Sequence, residues 1–145
     1  MQPLDLTMRP PRGPRETLAG LAFMPRTIDK LRAEMPGGKM AKYLNRPDGL
    51  SAYLCKRIGV DMEELRAVVA DAADEEEVAA WLRARVEPAL AAETSAKIAL
   101  MTYDRLPPEF QERVRQNHPV MERRPELRTF FEIFEADDAE AYADL

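Results

Sequence analysis

At 145 residues and 16.5 kDa the chain has the size of one domain, and its 21 Lys and Arg against 26 Asp and Glu leave a net charge of −5. That balance argues against non-specific nucleic-acid binding by the whole surface, although it leaves room for a local basic patch. The charge is unevenly spread. Residues 1–58 carry 11 basic and 5 acidic side chains, and residues 59–145 carry 10 and 21.

One cysteine, Cys55, excludes an intrachain disulfide and suits a reducing cytoplasm. No signal peptide is readable in Met1–Leu6, and no run of about 18 apolar residues offers a membrane span, so a cytoplasmic protein with no membrane contact is expected. All six glycines precede residue 60, Ala reaches 21, and β-branched residues are sparse, which favours helix over hairpins. The expected fold is all-α: a compact single domain over residues 1–145, with six to seven short helices and an extended Pro/Arg-rich arm over 1–14.

Pro10, Pro11 and Pro14 forbid a helix before Arg15. From Arg15 to Met35 the apolar spacing predicts helix, with Pro25 kinking it or opening a second one at N1. Pro36-Gly37-Gly38 stops it, a looser stretch runs to Asp48, and a short helix carrying Leu50, Tyr53, Leu54 and Ile58 closes at Gly59. Asp61 with Glu64 and Asp74 with Glu77 read as capping-box starts for two further helices. Pro88 marks a break. A helix from about Thr94 ends at Pro107-Pro108, another carries Phe110 and Val114 and stops before Pro119, and the last begins at Glu126.

The two ends carry a resemblance. Asp5-Leu6-Thr7-Met8-Arg9-Pro10-Pro11-Arg12-Gly13-Pro14-Arg15, then Met24-Pro25-Arg26-Thr27-Ile28-Asp29-Lys30, and finally Thr129-Phe130-Phe131 through Ala136-Asp137-Asp138, resemble a bacterial family of uncharacterised proteins, domain of unknown function 5069. Lys39–Ser51 departs from that pattern. The resemblance implies a compact helical fold and carries no activity with it.

Among candidate sites, Arg26, Asp29 and Lys30 fall on one side of a helix turn, downstream of Arg9, Arg12 and Arg15 on the stiff arm. This set suits a phosphate or carboxylate, because arginine binds such groups through two parallel hydrogen bonds. The competing reading is structural: Arg26 and Asp29 pair within the helix while the arm covers the acidic half. Asp137 and Asp138 sit in an acidic helix end, either solvated or docked as structural acids against the arginines.

His118 and Cys55 are too few donors for a zinc site, and the C-terminal acids lack the glycine of a calcium loop, so no metal is expected. Pro36-Gly37-Gly38-Lys39-Met40 fails as a phosphate loop at Ala33 and Met40. Cys55, on an apolar stripe, reads as structural, and His118 as a helix C-terminal residue. Trp81, Phe130, Phe131 and Phe134 read as core.

The spacing over residues 51–70 matches a helix-turn-helix, but its second helix opens on Asp61-Met62-Glu63-Glu64, which repels phosphate. The functional expectation is therefore a non-catalytic protein that binds a protein partner or small anion through its basic N-terminal region, with no cofactor. A DNA-binding module is the alternative.

Overall fold

The computed structural model describes residues 1–43, 45–47 and 49–145; Leu44 and Asp48, where the looser stretch was expected to end, lie outside the described residues. Among the described residues the chain is mostly helical, with eight α-helices, one 3-10 turn and a two-stranded ribbon.

The first departure from expectation is at residues 15–23. Thr17–Leu18 (β1) and Leu21–Ala22 (β2) form a small antiparallel hairpin in place of helix. Its two turn residues, Ala19 and Gly20, both have positive φ, at 53° and 76°, the turn whose twist matches that of paired strands. Helix α1, Met24–Glu34, starts only at Met24, with Pro25, whose fixed φ and missing N–H suit a first turn, directly after it. The residue before it, Phe23, is itself left-handed at φ 72°.

Helices α2 (Leu50–Ile58), α3 (Met62–Asp71) and α4 (Glu75–Arg83) occur where the sequence predicts them. Gly59 closes α2 with φ 73°. Asp61 caps α3 through the N–H of Glu63, and Asp74 caps α4 through that of Glu77; neither makes the reciprocal box.

Helix α5, Pro88–Leu100, begins six residues earlier than expected, because Pro88 occupies its first turn and begins it, and it ends earlier too. Pro107-Pro108 likewise does not end a helix: a 3-10 turn at Tyr103–Arg105 separates α5 from α6 (Pro108–Asn117), which Pro108 opens. After the one-turn α7 (Val120–Arg123), α8 spans Phe130–Ala141, not from Glu126. Thr129 sets that start: its hydroxyl accepts from the Glu132 N–H while the Glu132 carboxylate accepts from its own N–H.

Helix α1 runs through the middle of the molecule, and every residue from Leu21 to Leu31 is buried. Ile28, Leu31, Leu54, Leu65, Leu82, Ile98 and Phe131 meet in the main core. A second cluster joins Val120, Met121, Leu127 and Ile133. Residues 1–14 contain no helix and run across the end of α1: Leu6 is fully buried, and Leu4 and Leu6 exchange backbone hydrogen bonds with Arg32 and Lys39.

Gly38 permits that crossing. A Cβ there would sit 2.4 Å from the Ala33 carbonyl oxygen and 2.9 Å from that of Arg32, and neither can move without disturbing α1. Gly38→Ala should therefore lower unfolding stability by about 2 kcal/mol or more, read from the urea midpoint at unchanged slope.

Candidate anion-binding site

Helix α1 buries four polar side chains, Arg26, Thr27, Asp29 and Lys30, among its apolar ones. Each buried polar group needs a partner to offset its lost hydration, so the partners describe the site. Asp29 turns toward the arm. It accepts from Arg9 at 3.2 Å and from Arg12 through backbone N at 2.8 Å and Nη2 at 3.0 Å.

The other side of the Arg12 fork grips Glu75 in the first turn of α4, at 2.6 and 3.0 Å. Burial disfavours the Arg12 cation, but the hydrogen bonds to Glu75 and Asp29 outweigh it and push its pKa above the ordinary value. Arg15, on the surface, forks onto Glu135 of α8 and lies over the Phe131 ring.

Arg26 does not pair with Asp29. Its guanidinium reaches across to α8 and holds Asp138 through both oxygens, at 2.7 and 3.2 Å, and donates to the Arg12 carbonyl. Phe23, Tyr43 and Phe134 pack around it, each ring centroid within 5.9 Å. The Tyr43 hydroxyl donates to the same Asp138 at 2.6 Å, and burial together with this bond raises the phenol pKa.

Asp137 is bound independently: Lys42 donates to it at 2.6 Å and His118 Nδ1 lies 3.2 Å away. Burial would raise the Asp137 pKa; His118 and Lys42 overcome that and lower it. The acids Asp137 and Asp138 are thus buried and engaged, not solvated.

Lys30 is different. It is only 9% exposed, and its ammonium lies 5.7 Å from the centre of the Phe23 ring with no hydrogen-bond or ion-pair partner among the described residues. Burial, with help from Arg26, pulls its pKa down to about 8, against the weaker opposing pull of Glu34 and Asp138. It borders a cavity of about 440 Å³ whose other polar walls include Arg26, Lys42, Tyr43, His118 and Asp137. Arg46 and the amide side chains of Gln116 and Asn117 complete the polar rim.

The six N-terminal candidates therefore divide. Arg9, Arg12 and Asp29 form one lattice, Arg15 another contact, and Arg26 and Lys30 alone reach the cavity. Lys42, Tyr43 and His118 were not anticipated as site residues. Lys42 and Tyr43 lie in the stretch that departs from the family pattern, and His118 reads from sequence only as a helix end.

Other sequence candidates are placed apart. Cys55 is enclosed in the main core, and burial raises its thiol to about 11, while His118 meets Asp137 and Phe134. Among the described residues no His, Cys, Asp and Glu group suits a metal, and no helix is long and apolar enough to cross a membrane.

Removing one partner of a buried pair strands the other. Asp138→Lys sets a second cation against Arg26 and should cost about 3 kcal/mol or more, seen as a lower melting temperature in low salt; an unchanged value would refute the pairing. Asp138→Asn should cost less, because Tyr43 and Arg26 keep a neutral acceptor.

Two comparisons bear on kinship. No curated protein matches the chain. A family model described as a domain of unknown function (DUF5069) matches residues 8–140, a span that includes the second half of the arm, α1, the cavity walls and nearly all of α8. The chain therefore belongs to the DUF5069 family.

Proposed function

We propose that this is a non-catalytic binding protein for a small anion, held in the cavity between α1, Lys42, Tyr43 and Arg46, and the turn from α6 to α7. The observation that carries the proposal is Lys30. A buried ammonium with no acidic partner among the described residues is costly to the empty protein. An anion in the cavity supplies the missing counter-charge. Lys42, Arg46 and the amides of Gln116 and Asn117 border the same space and can donate hydrogen bonds to it.

The arginines of the arm contribute less than their number suggests, because Arg9, Arg12 and Arg15 are already held by Asp29, Glu75 and Glu135. A bacterial cytoplasm is the setting this proposal assumes, and the single buried Cys55 is in keeping with it. The DNA-binding alternative is less favoured. Arg66, the one base reader its second helix offers, is tied to Glu34 and Glu63, and Glu63 and Glu64 are exposed beside it.

The test is thermal shift and calorimetry with inorganic phosphate and acetate at low ionic strength. Stabilisation by about 10 mM of either supports the proposal, and no stabilisation by either overturns it. Lys30→Met should weaken binding at least tenfold while leaving the melting temperature unchanged or higher, since it removes a buried charge that lacks a partner.

The pH dependence has a definite sign. The groups facing Lys30 are Arg26, Glu34, Asp138 and the cavity's Lys42, Arg46, His118, Tyr43 and Asp137, and burial pulls the Lys30 pKa itself down to about 8. Anion binding favours the ammonium, so affinity should hold steady below pH 8 and fall by up to roughly tenfold per unit above it. Stability of the empty protein should move the other way. An unfolded lysine keeps its proton up to about 10.5, so the burial penalty is fully present below pH 8 and is relieved as pH rises from 8 to 10.5.

A further inference from the structure

The polar cavity does not stand alone. A second cavity, of about 360 Å³, adjoins it, and Arg46, Gly49, Leu50, Asn117 and Phe134 border both. Its remaining walls are mostly apolar, among them Tyr53, Met101, Leu106, Phe110, Val114 and Phe130, with Arg113 as a charged member. Most of these side chains are only half-buried, so apolar surface from α2, α6 and α8 faces an open space beside a cluster of cations. Contiguous apolar surface of that kind is uncommon unless something covers it, and the volume lies within the ~300–1,000 Å³ of small-molecule sites.

We infer that the anion is amphipathic, its charged head at Lys30 and its unbranched or aromatic apolar body in the cavity between α2, α6 and α8. The inference rests on the anion-binding reading above and adds the class of ligand. The charge argument selects this occupant. A neutral apolar molecule leaves Lys30 without a counter-charge, and a bare anion leaves the apolar walls open to water. An anion with an apolar body answers both. Asn117 and Arg46, at the junction of the two spaces, would bracket the point where head meets body. A carboxylate and a phosphate monoester share this chemistry, and the choice of head group is left to the measurement.

The experiment is a calorimetric series on the full chain: acetate, butanoate, hexanoate and octanoate, with inorganic phosphate and octyl phosphate to compare head groups, and octanol as the uncharged control. Affinity should rise roughly fourfold for each added methylene until the second cavity is filled. Octanol should bind at least tenfold more weakly than octanoate.

Leu106→Gln and Phe110→Ser each change one half-buried wall residue, and their folding is checked by circular dichroism. Both should flatten the chain-length dependence and leave acetate and phosphate affinity unchanged. Lys30→Met should instead lower every anion by a similar factor. A flat series with measurable phosphate or acetate binding overturns the amphipathic ligand and leaves anion binding standing. Octanol binding as well as octanoate, with no effect of Lys30→Met, overturns both readings.

Discussion

The pairing of Arg26 with Asp138 is the contact on which the arrangement of this protein turns. It joins the middle of α1 to α8 at 2.7 Å, across 112 residues of sequence, through a guanidinium only 5% exposed. The two hydrogen bonds to Asp138, the aromatic rings around the guanidinium and the donation to the Arg12 carbonyl together satisfy a group that would otherwise be prohibitive to bury. Because Tyr43 donates to the same carboxylate, that ring is fixed by it too. Three walls of the polar cavity thus follow from one ion pair.

The charge asymmetry of the sequence acquires a structural meaning here. The basic first part and acidic second part hold each other through Arg12–Glu75, Arg15–Glu135, Arg26–Asp138 and Lys42–Asp137. These contacts are unequal. Arg15–Glu135 is solvated on both sides and adds little, whereas Arg26–Asp138 and the Asp29 lattice are shielded and costly to break. Of the basic candidates on α1 and the arm, Lys30 is the one with no ion-pair partner among the described residues.

Much of the fold is legible in the sequence where a local signal decides it. Gly59 ends α2 and Asp74 begins α4 because a left-handed glycine and a capping carboxylate act over two or three residues. The failures are equally physical. Leu18 and Leu21 have helical spacing, but the Ala19-Gly20 turn and Pro25 favour a hairpin, and Ala19 gives no warning of its positive φ. Pro88 and Pro108 read as breaks although each occupies a first helical turn, where proline is tolerated. At the site, residue types were legible and partners were not. Spacing alone cannot show that Asp29 faces Arg12 while Arg26 faces α8, because that depends on where the arm and α8 pack. Tyr43 and His118 left no periodic or motif signal at all.

Three energetic costs meet at the cavity. Phe23 holds a left-handed φ, a conformation that disfavours a bulky side chain by about 1–2 kcal/mol. Its ring lies beneath both Arg26 and Lys30 and stacks on Phe131. Lys30 is buried without a described counter-ion, and the adjoining wall leaves Leu106 and Phe110 partly open. Elsewhere the same chain satisfies its buried charges with two or three partners each, as at Asp29 and Asp138. Among the described residues Lys30 is the exception, a buried ammonium with no ion-pair partner. The left-handed φ of Phe23 sets the ring against which the Lys30 ammonium lies, so these two costs share one residue.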